Sequence, residues 1–169
     1  MKRVVEALAI IICFLLQSTL FHYAAFAGIV PNLMIIITSI FGFMEGRTDG
    51  MAVGFISGLI IDIFYGNLIG LNALIFMYIG FGNGIANRGF YPDDIKFPLL
   101  FISVSDLVYL ILTYLTGFIL RARFNVGYYF LHLMLPELVY TVIVSLFIYL
   151  AVRGILLRIE GRFGEDEQA

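Results

Sequence analysis

Six long apolar runs, each closed by a short polar or glycine-rich break, constrain this chain more than any other feature. They are Val4–Phe26, Ile29–Met44, Met51–Gly66, Leu71–Asn87, Pro98–Leu120 and Gly127–Val152. A helix needs ~20 apolar residues to cross a ~30 Å hydrocarbon core, and the first, fifth and sixth runs are long enough. Runs two to four hold 16, 16 and 17 residues, lengths better suited to helices packed within a compact bundle than to isolated lipid-facing spans. Hydrophobic residues make up 62% of the 169 and charged ones 13%, against roughly 25% charged in a soluble chain. With a mean hydropathy of +1.01, a water-soluble core of this size would leave large apolar patches exposed. Uninterrupted runs, without the alternation of barrel strands, argue against a β-barrel. The expected fold is an all-α, polytopic membrane bundle of six transmembrane helices, a single transmembrane domain over residues 1–169.

The breaks are legible. Pro31 and Pro98 suit first helical turns, where a missing N–H costs nothing. Glu45 to Gly50 reads as a charged turn, Tyr65 to Gly70 as an uncharged one, and Arg88 to Lys96 as a polar loop containing Pro92. With six spans, one side holds Lys2, Arg3, Arg47, Arg88, Lys96, Arg153, Arg158 and Arg162, and the other only Arg121 and Arg123. That asymmetry places both termini in the cytoplasm, with a solvated tail from about residue 153. Lys2-Arg3, the first run and Ala25-Phe26-Ala27 also resemble a cleaved signal peptide, but the run is long for that purpose and the rest of the chain is all membrane. A formal charge of −2 without a basic stripe excludes nucleic-acid binding.

Glycine recurs every fourth residue through runs two and three: Gly42, Gly46, Gly50, Gly54, Gly58, then Asp62, Gly66 and Gly70. Four residues advance an α-helix by ~400°, so each step drifts only ~40°. Gly50, Gly54, Gly58 and Asp62 therefore form a slowly winding groove with no side chain until the carboxylate. Between membrane helices, close backbone approach replaces the hydrophobic effect, and stripes of small residues permit it. The spacing marks a helix interface; it leaves open whether the facing helix is internal or a partner's.

An ionisable residue in a bilayer costs roughly 2.5–3.5 kcal/mol on insertion scales, so it faces protein or water and has a partner. Asp62 falls about 6 Å below the outer surface by residue counting, and His22 and His132 fall at similar depth. A contact with either histidine is one expectation, and a hydrogen bond into the turn containing Asn67 is the other. Asp106 and Glu137 lie deeper, ~21 and ~15 Å from the outer ends of spans five and six, within reach of each other. A shared proton, a proton relay and plain interhelical hydrogen bonding are all compatible with that pairing. Pro136 is expected to kink the sixth helix.

Catalytic sets are not apparent. No Gly-x-Gly-Asp motif precedes either aspartate, Ser57 lacks the glycine two residues upstream seen in rhomboid-like sites, and Cys13 sits mid-helix as packing. No His, Cys or carboxylate spacing suggests a metal, and no cofactor motif is present.

Pro31-Asn32-Leu33, followed by Gly50, Gly54-Phe55, Gly58-Leu59, Asp62, Gly66, Gly70 and Ala73 at their spacing, resembles the rod shape-determining protein MreD family. The size and six-span layout extend the resemblance along the chain. Asn32 departs from the aspartate that the family often has after the proline. The resemblance implies a non-catalytic protein of the bacterial cytoplasmic membrane that maintains rod shape in the cell-elongation machinery. It implies association with the single-span protein MreC, and indirectly with the MreB filament and peptidoglycan synthases; a homo-oligomer is compatible with it. The family fold is similar to the S-components of energy-coupling-factor transporters, so the alternative function is uptake of a vitamin-like molecule. Asn67, Asn72, Tyr128 and Tyr129 would then line an outer pocket. The proposed interface comprises Gly50, Gly54, Gly58, Asp62, Gly66 and Gly70, and the intramembrane polar set comprises Asp62, Asp106, Glu137, His22 and His132.

Overall fold

A computed structural model of the protein describes residues 2–19, 30–66, 68–86, 95–121, 131 and 134–166. Six helices run through them: α1 (Lys2–Ser18), α2 (Leu33–Glu45), α3 (Arg47–Tyr65), α4 (Leu71–Ala86), α5 (Lys96–Arg121) and α6 (Leu135–Asp166). Each apolar run carries one helix. Among the described residues three segments are long and apolar enough to cross a membrane, Arg47–Tyr65, Lys96–Gly117 and Leu135–Ile155, while α2 and α4 are shorter apolar helices.

Several boundaries differ from the sequence expectation. The α1 helix runs to Ser18, and the rest of the first run lies among residues 20–29, outside the described set. The charged turn shrinks to Gly46 alone, at φ 98° and ψ −169°, a conformation open in practice only to glycine. Residues Arg47 to Gly50 already belong to α3, with Asp49 in its first turn, where a negative charge complements the helix dipole. Pro31 precedes α2 and is not in its first turn; Asn32 caps that helix, its side chain accepting from Ile35 N at 3.2 Å. Pro98 does stand in the first turn of α5. Pro136 is the second residue of α6, so the expected kink is a helix start, at a place where the proline needs no N–H.

Side-chain contacts tie the helix ends together in an alternating, up-and-down order. At one end Arg3 of α1 pairs with Asp49 of α3 at 2.7 Å, and Arg47 lies over the Phe81 ring of α4 at 5.9 Å. Phe43 of α2 meets Phe101 of α5 there in a tilted ring contact, with centroids 5.8 Å apart. At the other end Phe14 of α1 meets Phe64 of α3 at 4.9 Å, and Asn32 at the start of α2 bonds to Thr141 of α6.

The short α2 is the axis of the bundle. Every residue from Leu33 to Phe43 is buried, and all five other helices pack against it. At ~1.5 Å per residue its 13 residues cover ~20 Å, less than a hydrocarbon core, so its N-terminal amides need partners within the protein. They have them. Asn32 N donates to Thr141 Oγ1 at 3.2 Å, Leu33 N to Pro31 O at 3.1 Å, and Met34 N to Gln17 Oε1 at 3.2 Å. Asn32 Oδ1 takes Ile35 N.

Candidate functional site

The glycine strip of α3 is filled from within by α4. A methyl group built on Gly54 would overlap the carbonyl of Phe76, one on Gly58 the carbonyl of Asn72 and the backbone of Ala73, and one on Gly50 the carbonyl of Gly80. The relation is mutual, because a methyl on Gly80 would overlap the Gly50 carbonyl, and one on Gly84 the Arg47 backbone. Each step of four residues along α3 is thus answered by a step of about four back along α4. Gly42 of α2 enters the same seam, since a methyl there would lie 2.7 Å from Gly80 O. Three helices meet backbone to backbone, the contact that small residues make possible without a hydrophobic driving force. Gly66 and Gly70, the last two glycines of the repeat, are not part of this contact. They shape the turn between α3 and α4, where Gly70 has φ 101° and open space around it.

Asp62 stands where the strip ends, and it is 1% exposed. Its Oδ2 accepts from Gly70 N at 2.8 Å and Ala73 N at 3.0 Å. Its Oδ1 accepts from Asn72 N at 3.2 Å and Asn72 Nδ2 at 2.9 Å. The carboxylate of one helix therefore caps the first turn of the next, satisfying amides that would otherwise be unpaired and complementing the positive end of the α4 dipole. Four donors fill the approximate capacity of a carboxylate, so the acid needs no histidine partner. His22 and His132, proposed for that role, lie outside the described residues, as do Asn67, Tyr128 and Tyr129. Asn72, proposed for an outer pocket, is bound to Asp62.

One polar grouping escaped the sequence. Asn83 of α4 donates through Nδ2 to Ser105 Oγ of α5 at 2.7 Å and to Ser39 Oγ of α2 at 3.4 Å, binding three helices at one buried point. Gly80 and Gly84, which complete the seam, were present in the sequence at the same four-residue spacing. Of the deeper acids, Asp106 is fully buried on α5 and Glu137 is half-buried in the first turn of α6.

Small residues packed backbone to backbone, a buried acid capping a neighbouring helix, and large apolar side chains turned outward on α1, α5 and α6 define a membrane protein of packed helices. More particularly, the chain belongs to the rod shape-determining protein MreD family, whose model matches residues 1–159. No curated protein and no solved structure matches it. Family membership assigns it a role in determining rod shape.

Proposed function

We propose that this chain is a non-catalytic scaffold of the bacterial elongation machinery, a six-span protein of the cytoplasmic membrane with both termini in the cytoplasm and a fold similar to transporter S-components. It binds the transmembrane helix of MreC and, through MreC, helps position the MreB filament and peptidoglycan synthesis. The observation that carries this reading is the way the small and polar residues of α2, α3 and α4 are engaged with one another. That engagement makes the three helices a brace, and it leaves the outward apolar faces as the surface a partner helix can use. MreC then docks on the surface that the brace shapes, because α4 already occupies the glycine groove.

Gly58→Leu would force α4 away from α3, and Asp62→Leu would leave four donors of the α4 start unpaired. Both variants are expected to lose copurification with MreC and to produce rounded cells. Normal copurification and rod shape in either variant would contradict the proposal. Depletion of the protein separates it from the transport alternative: rounding supports a scaffold, and a growth defect cured by one vitamin supports uptake.

A further inference from the structure

We propose that Arg47 and the outward face of α4 beside it form a binding site for an anionic phospholipid. The guanidinium takes the phosphate and the α4 face takes an acyl chain. Arg47 is the first residue of the α3 span, which puts it at the membrane boundary. It is exposed, and its guanidinium lies over the Phe81 ring of α4 at 5.9 Å. No acid among the described residues pairs with it. Asp49, two residues further on, is held by Arg3 at 2.7 Å, and Arg3 also binds Glu6. A cation at the start of a helix opposes the helix dipole, so helix stability does not explain an arginine here. A phosphate at headgroup level does, because the planar fork of a guanidinium matches phosphate oxygens.

The α4 surface continues the site into the hydrocarbon. Leu74, Tyr78 and Ile85 are exposed along one face of this helix. Gly82 falls on the same face, within ~80° of each of them, and nothing lies within 4 Å of a methyl built there. The outward row of large side chains is therefore broken by a gap between Tyr78 and Ile85. Internal packing does not use this gap, since it is Gly80 and Gly84 that meet α3. Phe81 and Ile85 are one turn apart, so the ring that carries the guanidinium borders the face. Gly84 packs against the Arg47 backbone, and Gly82 is two residues, ~3 Å, deeper in the membrane. A headgroup at Arg47 thus has its chain at the level of the gap. A phospholipid supplies charge and apolar chain in one molecule, already seated at this boundary. In the six-span orientation proposed above, the site faces the cytoplasmic leaflet, whose anionic lipids attract basic residues. The binding itself depends neither on that orientation nor on MreC.

The test is titration of phosphatidylglycerol into the full chain in neutral detergent, with phosphatidylcholine as reference, read by native mass spectrometry. Retention of phosphatidylglycerol in preference to phosphatidylcholine is expected. Arg47→Gln is expected to weaken that binding about tenfold or more, the scale of a charge-assisted hydrogen bond. Lys96→Gln removes a charge from the start of another span at the same end. Its expected effect is no more than about 5-fold, that of one surface charge. Gly82→Leu fills the gap without altering charge and is expected to weaken binding as well. All three positions are exposed, so the variants keep the fold. Equal losses in Arg47→Gln and Lys96→Gln would reduce the preference to surface charge and overturn the site. Unchanged binding in Gly82→Leu would also overturn it, because the chain would then lie elsewhere. Full competition by soluble glycerol phosphate would mean that phosphate alone is bound. Stronger competition by a poly-glutamate peptide would identify an acidic protein segment as the occupant, and either result rejects a lipid site.

Discussion

At the scale of single residues, the informative positions are those where one atom more or one charge less meets an occupied space. Asp62 distributes four accepted hydrogen bonds over two oxygens, so Asp62→Asn turns an NH2 group toward donors that cannot accept from it. The expected loss is about 1.5–3 kcal/mol, the scale of a charged hydrogen bond, read as reduced unfolding stability in detergent or lipid. Asp62→Ala should cost more, since it leaves every one of these donors unsatisfied. Gly46 presents a different constraint. Nothing lies within 4 Å of a methyl built there, yet its backbone conformation excludes other residues, and Gly46→Ala is expected to destabilise by about 1–3 kcal/mol. Part of this was readable in the sequence. An acid at the end of a glycine series had to have a partner, but its partners are mainly backbone amides of Gly70, Asn72 and Ala73, and an amide has no sequence signature.

The contact between α3 and α4 is the element-scale device that organises the rest. Gly54→Ala would drive a methyl into the Phe76 carbonyl, which is backbone and cannot move aside as a side-chain tip could. Gly82 sits on the same α4 helix with open space about it, so Gly82→Ala should be neutral or gain up to ~1 kcal/mol from helix propensity. Comparing the two alanine variants in one unfolding assay separates packing from propensity; equal effects would mean that the seam is not tightly packed. The four-residue period made this seam visible in the sequence because a small-residue stripe is a local pattern. Asn83 was not visible, because its partners Ser39 and Ser105 are 44 and 22 residues distant and meet only in the folded bundle. The far end of the first apolar run, residues 20–26, lies outside the described residues. The central place of α2 had a signal in its all-round hydrophobicity, the mark of a helix surrounded by protein.

For the whole molecule, the two ends of the bundle differ in kind. One gathers Arg3, Glu6, Asp49 and Arg47 into ion-pair and cation–π contacts, and the other is closed by aromatic contacts and by amides capped from within. An end rich in paired charge suits the cytoplasmic face, where the basic residues of the short loops concentrate in the six-span arrangement. In the proposed six-span arrangement the up-and-down order of the helices gives an even number of passages. It does not require α2 to reach both surfaces, because its first-turn amides are already satisfied by Gln17, Pro31, Asn32 and Thr141. Alkaline phosphatase, active only outside the cytoplasm, is accordingly expected to be inactive when fused after Ala169 and active when fused in the turn between α3 and α4. Activity at Ala169 would imply an odd number of passages. It would also place Arg153, Arg158 and Arg162 outside, against the charge asymmetry on which the proposed orientation rests.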